Sequence, residues 1–185
     1  DYTSVSEGGS PTGYFLRKYI QETTSFETDK EVVNKHHWIV YRYAETLLTY
    51  AESMVMTFKN PQYTNIDFPK SAEWALNEVR KNAGMPTVSI TDPNEFMKAL
   101  QNEWRVEFAF EDHRFWDIRR WQIAENTQKE LYGVSIERTT DGSLNFQRIL
   151  YKNRTWNQRM YLYPIPQNEL FLSLIHISEP TRLRR

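Results

Sequence analysis

The first strong hydrophobic pattern in the chain starts at Trp38 and runs to Phe58. Apolar side chains recur there at spacings of three and four residues, which places them on one face of an α-helix. The stripe consists of Ile39, Tyr43, Leu47, Leu48, Ala51, Met54, Val55 and Phe58. Asn60 and Pro61 follow at once, and proline cannot continue a helix. The pattern therefore predicts a helix of about five turns that starts at Trp38.

A second helix is predicted in the stretch SAEWALNEVRKNAGMP, residues 71–86. Its apolar face is formed by Ala72, Ala75, Leu76 and Val79. Gly84 can adopt the left-handed conformation that ends a helix, and Pro86 prevents the helix from resuming. The two helices would form a hairpin. Small residues at Ala44 and Ala51 in the first helix resemble the spacing of tetratricopeptide helix pairs, although one pair does not establish a repeat.

A third helix is predicted to start at Pro93, because Asp92 can cap its N-terminus and Glu95 can complete a capping box. The apolar and acidic pattern extends this helix as far as Phe110. The positions that mark it are Phe96, Ala99, Leu100, Glu103, Val106, Glu107 and Phe110.

The pattern weakens after Trp121. Gly133 and Gly142 indicate loops, and NFQRILY, residues 145–151, could form a short extended or helical piece. The two prolines of YLYPIPQNEL, residues 161–170, indicate an extended strap.

The densest mixture of charged and aromatic residues is EFAFEDHRFWDIRRW, residues 107–121. On one continuous helix, Glu103, Glu107 and Glu111 would lie four residues apart and share a face. A hydrolase with paired carboxylates needs two acids that face each other across a cleft, and acids stacked on one helix rarely do so. The pattern instead favours a structural ionic network, in which the acids bind arginines where the chain turns. Its predicted members are Glu103, Arg105, Glu107, Glu111, Arg114, Asp117, Arg119 and Arg120.

The composition argues against several kinds of chemistry. The chain has no cysteine, and its 23 Lys and Arg nearly balance its 24 Asp and Glu. Without a strongly basic surface, nucleic acid is not an expected partner. The four histidines show no metal-binding spacing, and the sequence contains no glycine-rich phosphate loop. We therefore expect no metal and no cofactor, and we interpret His113 as a structural residue at a helix end.

Aromatic residues make up 15% of the chain, more than an ordinary core requires. Tyr63, Tyr132 and Trp156 lie on predicted loops and are the candidates for ligand binding. An exposed ring can support the apolar face of a sugar while neighbouring Asn, Gln or Arg side chains bind its hydroxyls. The alternative, in which each ring packs beneath its own loop, remains open for all three.

The last segment, residues 172–185, reads LSLIHISEPTRLRR. Its first eleven residues, Leu172 to Arg182, correspond to an in-frame translation of a transposase adaptor used in DNA library preparation. We therefore interpret residues 172–185 as an adaptor-derived tail that takes no part in the fold or the function.

Four blocks of the sequence, taken in order, resemble signature segments of the SusD/RagB family. They are WIVYRYAETLLTYAES (38–53), EWALNEVRKNAGMP (73–86), NEWRVEFAFEDHRFWDIRRW (102–121) and YLYPIPQNEL (161–170), preceded by a shorter match, TGYFLRKYI (12–20). Asp112 stands where the family commonly has glycine, and Trp104 where arginine is common. Neither difference disrupts the match. Residues 1–171 are thus identified as the C-terminal portion of a SusD/RagB-like domain.

The resemblance implies a mainly α protein, with a SusD-like helical fold that contains tetratricopeptide-like helix pairs and irregular loops. It implies non-catalytic binding of oligosaccharides and their delivery to a SusC-like TonB-dependent transporter. It also implies a location on the cell-surface side of the outer membrane, through an N-terminal lipid anchor that is missing from this chain. A generic helical-repeat module for protein interaction is the alternative, and a glycosidase that uses Glu107 and Glu111 is a weaker one.

Overall fold

The computed structural model describes residues 9–35, 37–127 and 129–171. The predicted adaptor-derived tail, residues 172–185, lies outside the described residues. The chain divides into two compact units. One is Leu16–Asp117, called here the helical unit, and the other joins the described residues up to Phe15 with those from Ile118 onward and is called the hairpin unit.

The helical unit contains most of the regular structure. Its helices are α1 (Tyr43–Phe58), α2 (Ala72–Asn82), α3 (Pro93–Glu107) and the start of α4 (His113–Arg120). Helix α1 packs against both α2 and α3. The largest fully buried side chains on these helices and just after α3 are Leu48, Val55, Leu76, Phe96, Leu100 and Phe108. The predicted mainly α fold is confirmed, whereas the tetratricopeptide-like character of the α1–α2 pair stays a prediction. Among the described residues, no helix combines the length and the hydropathy that would let it cross a membrane.

Helix α1 starts at Tyr43, so the prediction of a start at Trp38 is wrong. Arg42, which precedes the helix, is extended, with φ −146° and ψ 160°. Its side chain is held by ion pairs with Glu107 and Glu111, which lie far along the chain. In addition, Val40 is β-branched and is therefore a poor helix former. The end of α1 agrees with the prediction, because Lys59 adopts the left-handed conformation immediately after Phe58.

Helix α2 follows its sequence pattern closely. The hydroxyl of Ser71 accepts a hydrogen bond from the Trp74 backbone N–H at 3.0 Å and caps the N-terminus. All four residues of the predicted apolar face are buried. Gly84 is left-handed, with φ +70°, as predicted.

Helix α3 begins as predicted but ends three residues early. The Asp92 carboxylate accepts hydrogen bonds from the backbone N–H groups of Asn94 and Glu95. The Glu95 side chain binds Lys98 Nζ at 2.7 Å instead of completing a capping box. Phe110, the predicted last position, has φ +64°, which no α-helix accommodates, and its side chain is exposed.

Helix α3 ends early because the backbone carbonyl of Glu107 binds side-chain donors. In a longer helix this carbonyl would accept the N–H of Glu111. Here it accepts hydrogen bonds from the side chains of Lys18 and Arg42, and the Glu111 N–H binds the Phe108 carbonyl instead. Helix α3 therefore ends at Glu107 rather than at Phe110, and α4 begins separately at His113.

The hairpin unit is built around two antiparallel strands, β1 (Glu130–Arg138) and β2 (Leu144–Asn153). A register shift lies between Leu131 and Tyr132. A short helix α5 (Ala124–Thr127) precedes the strands, and a 3₁₀ turn (Gln158–Tyr161) follows them. The stretch 145–151 is thus a strand, and the predicted strap becomes helical from residue 167.

The prediction of a loop at Gly133 is wrong, because this residue lies inside β1. A Cβ atom here would lie 2.7 Å from the carbonyl oxygen of Thr12, so the glycine allows the segment before Leu16 to approach the strand. Gly13, with φ +71°, approaches the same strand, and its Cβ would overlap the Val134 carbonyl oxygen. The Val134 N–H donates to the Thr12 carbonyl at 2.8 Å.

A side chain at Gly13 would have two separate effects on stability: a steric clash with Val134 and strain in the left-handed backbone. A comparison with Gly142 distinguishes the two. Gly142 also has a positive φ, +86°, but its Cβ would meet nothing within 4 Å. We expect Gly142→Ala to lower the free energy of unfolding by about 1 kcal/mol through backbone strain. Gly13→Ala should lower it by a further 1 to 3 kcal/mol, roughly, because the methyl group has no room. Urea denaturation followed by circular dichroism measures both, and equal losses would contradict the close approach.

Candidate functional site

The conspicuous motif at 107–121 contributes two acids to an ionic cluster in the helical unit. The cluster, called here the Arg42 cluster, consists of Lys18, Arg42, Glu107 and Glu111. Arg42 Nε lies 2.9 Å from Glu111 Oε2, and Arg42 Nη1 lies 2.5 Å from Glu107 Oε1. Lys18 Nζ forms an ion pair with Glu111 and donates to the carbonyls of Glu107 and Ala109 at 3.1 and 3.0 Å. The acids of the cluster are therefore held by cations from two other segments of the helical unit.

Burial and charge act in opposite directions on the ionisation of this cluster. The Glu111 side chain is only 4% exposed. This burial raises its pKa, but hydrogen bonds from Arg42 and Lys18 outweigh it and leave the pKa below its ordinary value. Burial likewise lowers the pKa of Arg42, and the hydrogen bonds to Glu111 and Glu107 reverse that effect. Both partners are charged at neutral pH.

The cluster packs on an apolar surface as well as on its own charges. The Arg42 guanidinium carbon lies 4.2 Å from the centre of the Phe108 ring, a cation–π contact. Phe108 also contacts the ring of His113 at 4.5 Å, and His113 Nε2 lies 3.6 Å from Glu45 Oε2. His113 is the first residue of α4, and it packs against the buried ring of Phe108. These contacts support a structural role for His113.

The structure does not bring the three predicted acids into one network. Glu103 binds a separate cation, Arg80, at 2.7 Å, and both side chains are largely buried. Arg80 also donates from Nε to the Pro86 carbonyl at 2.9 Å. This second ion pair joins α2 to α3, whereas the Arg42 cluster joins the segment before α1 to the end of α3.

The arginines of the motif have other surroundings. Arg105 donates to Asn102 Oδ1 at 2.7 Å. Burial lowers the pKa of Arg114, the positive charge of Arg105 lowers it further, and the buried Asp117 opposes both effects. Arg119 and Arg120 place their guanidinium groups 5.4 and 4.2 Å from the ring centres of Trp156 and Trp121.

Sequence reasoning missed Lys18, Arg42 and Arg80, which supply the observed cations. Each lies within a block that resembles the SusD/RagB family, so a signal was present in the sequence. The distance along the chain hid it, since Lys18 and Glu111 are 93 positions apart. Among residues 9–35, 37–127 and 129–171, no group of three or more His, Cys, Asp or Glu side chains could hold a metal ion.

The three predicted ligand-binding aromatics differ in their surroundings. The ring of Tyr63 is half-buried and stacks on Phe58 with centres 4.1 Å apart, which supports packing beneath its own loop. The ring of Tyr132 lies 3.7 Å from the guanidinium of Arg148. Its hydroxyl donates to Glu130, a hydrogen bond that raises the pKa of Tyr132.

Trp156 lines a cavity of about 200 Å³ in the hairpin unit. Its ring meets Tyr161 edge to face at 5.1 Å. The other residues that line this cavity are Arg119, Arg154, Thr155 and Met160. Of the three predicted aromatics, Trp156 therefore has the surroundings closest to those of a binding site.

A larger cavity, of about 310 Å³, lies in the helical unit and was not predicted. It is called here the α1–α2 pocket, and it opens between α1, the start of α2 and the loop that joins them. Its walls are Tyr43, Thr46, Leu47, Tyr50, Asp67, Phe68, Pro69, Lys70 and Trp74. Four of these nine side chains are aromatic, and two carry opposite charges.

Comparison with protein families matches residues 1–173 to the family described as the SusD family. Among solved structures, the chain is similar to a SusD-like protein from Bacteroides fragilis NCTC 9343, with 36% identity, a TM-score of 0.59 and 73% of this chain covered. It is also similar to a SusD-like carbohydrate-binding protein from the same strain, with 26% identity, a TM-score of 0.61 and 89% covered. The chain spans 24% and 33% of the lengths of these two proteins. Comparison with curated proteins finds no significant match.

The Arg42 cluster makes stability depend on pH. Glu111→Gln should lower the free energy of unfolding by about 3 kcal/mol at neutral pH, because two partly buried cations lose the anionic partner that they share. The folded-state pKa of Glu111 lies below its ordinary value of 4.5. Its ionic stabilisation is therefore complete above about pH 4.5 and is lost as the pH falls through the folded-state pKa.

The check is urea denaturation of the wild type and Glu111→Gln at neutral and acidic pH. The difference between them should shrink in acid. The matched control is Glu31→Gln, an exposed acid of the same unit, which should behave like the wild type at both pH values. A difference that stays constant with pH would mean that the charge of Glu111 does not stabilise the fold.

Proposed function

The chain belongs to the SusD family, and on that basis we propose that the protein binds glycans and delivers them for uptake across the outer membrane. The observation that carries this proposal is the family match over nearly the whole chain. The similarity to a SusD-like carbohydrate-binding protein supports the class of ligand. Because the chain covers a quarter to a third of its structural relatives, the proposal concerns the complete gene product.

The physical character of the chain is compatible with a neutral polyol as ligand. Positive and negative charges nearly cancel, so there is no strong field to select a polyanion. Several large aromatic side chains are exposed, including Trp38, Tyr41 and Tyr43. Rings of this kind can pack against the apolar faces of sugars without a charge match.

The proposed role is non-catalytic. Glu107 and Glu111 bind the same guanidinium, that of Arg42, so their carboxylates converge on one cation. A glycosidase needs two carboxyl groups placed on either side of the bond to be cut, one of them free to exchange a proton. The arrangement of these two acids argues against their use as the catalytic pair of a glycosidase.

Delivery would require a partner in the membrane. We propose a SusC-like TonB-dependent transporter as that partner, and a lipid anchor upstream of this chain that holds the protein at the outer cell surface. Family membership supports both parts of this assignment.

Glycan binding can be tested by affinity electrophoresis of the complete gene product. Native gels that contain soluble starch, xylan, galactomannan or mixed-linkage β-glucan should retard the protein with at least one polysaccharide. Serum albumin, run beside it, should not be retarded. Retardation by none of a broad panel would contradict the proposed function. Release of reducing sugar during incubation with the bound polysaccharide would contradict the non-catalytic role.

The transporter can be tested separately from the glycan. The affinity-tagged complete protein, solubilised from outer membranes in mild detergent, should co-purify with a TonB-dependent transporter that mass spectrometry identifies. A variant with its lipid attachment cysteine replaced controls for proximity in the membrane. Recovery of the tagged protein without any transporter, under conditions that preserve other outer-membrane complexes, would argue against delivery by this route.

A further inference from the structure

The α1–α2 pocket combines a size, a lining and a charge pattern that match one kind of ligand. We propose that it binds one pyranose ring of a neutral oligosaccharide. This assignment rests on the proposed glycan-binding function and adds to it a location within this chain and a ligand class. It follows from three properties of the described residues that line the pocket.

The first property is size. A cavity of about 310 Å³ lies at the small end of the range of ligand pockets, roughly 300 to 1,000 Å³. It leaves room for a ring and its substituents but not for a folded peptide segment. An oligosaccharide would therefore place one ring in the pocket and extend its other rings along the surface.

The second property is the aromatic wall. Tyr43 lies at the first position of α1 and is 70% exposed, so its ring is available to a ligand. Phe68 and Trp74 contribute two further rings to the lining. The C–H face of a pyranose packs on such rings through dispersion and apolar burial, and it needs no charge to do so.

The third property is the pair of opposite charges at the rim. Lys70 Nζ lies 4.8 Å from the centre of the Trp74 ring, so a cation–π contact holds three N–H donors beside the aromatic wall. Within the described part of the chain, the Asp67 carboxylate has no hydrogen-bond or ion-pair partner. A sugar hydroxyl both donates and accepts, so it can bind Asp67 and Lys70 alike.

The same charges discriminate among ligands. An anionic sugar would be attracted by Lys70 and repelled by Asp67. A cationic ligand would be attracted by Asp67 and repelled by Lys70. A neutral polyol can use both groups at full strength. The charge pattern therefore favours a neutral ring over a uronate or an amino sugar.

The pocket walls are held in place by hydrogen bonds of their own. The Tyr50 hydroxyl donates to the Lys70 carbonyl at 2.5 Å. Asn65 binds the backbone N–H of Phe68 through its side chain at 2.6 Å and donates its own N–H to the Phe68 carbonyl at 3.0 Å. A loop fixed in this way loses little conformational freedom when a ligand binds.

The test uses the complete gene product and isothermal titration with cellotriose, maltotriose and mannotriose, with trigalacturonate as the anionic comparison. Binding of a neutral trisaccharide should weaken about fivefold in Tyr43→Ala, which removes the ring. It should weaken about tenfold in Asp67→Asn, which removes the charged acceptor. Tyr43→Phe keeps the ring and should bind within about twofold of the wild type.

The matched control is Tyr14→Ala, since Tyr14 is 63% exposed and does not line the pocket. It should bind like the wild type. Tyr43 and Asp67 are both exposed, so their variants should keep the wild-type melting temperature. A loss of affinity without a change in melting assigns the effect to the pocket.

Three results would overturn the assignment. Trisaccharide binding that is unchanged in Tyr43→Ala and Asp67→Asn would place the site elsewhere, and so would polysaccharide retardation of the protein with no trisaccharide bound. In both cases the proposed glycan-binding function still stands. Tighter binding of trigalacturonate than of any neutral trisaccharide would overturn the ligand class. The proposed glycan binding itself fails only if no polysaccharide retards the protein.

Discussion

The helical unit depends on one guanidinium group. Arg42 binds two carboxylates and one backbone carbonyl at the end of α3, and its planar face covers the ring of Phe108. Arginine suits this position because its donors form a rigid fork and its charge persists when it is partly buried. The same contact sets the start of α1, since the backbone at Arg42 stays extended while its side chain reaches Glu107.

How well the sequence predicted each helix depended on the range of the forces that define its ends. All the determinants of α2 are local: a serine cap, an apolar face and a left-handed glycine within one short stretch. Its prediction succeeded at both ends. The start of α1 and the end of α3 were mistaken by a few residues, because side chains 65 or more positions away decide them. Local pattern carries no record of such contacts.

The proposed binding surface was harder to predict than the fold. The α1–α2 pocket is made from residues such as Tyr43 and Trp74 that look like ordinary helix positions, and only the loop that joins the helices turns them into a cavity. Tyr63 was predicted from its place on a loop, and its stacking on Phe58 depends on a contact that this place alone does not indicate. The resemblance to the SusD/RagB family predicted the family of the chain correctly, which the spacing of single residues could not do. The resemblance draws on whole ordered blocks of sequence.

The separation of Arg42 from its acids also has a consequence for folding during synthesis. Arg42 and Glu111 are 69 positions apart, so the arginine leaves the ribosome well before its partners exist. Helices α1 and α2 can pair early, because the contacts between them are local and loop closure is inexpensive. The cluster that ends α3 can form only after the chain beyond Glu111 has emerged. Until then the nascent chain has an incomplete core, and its exposed aromatic side chains are the surface that a chaperone would meet.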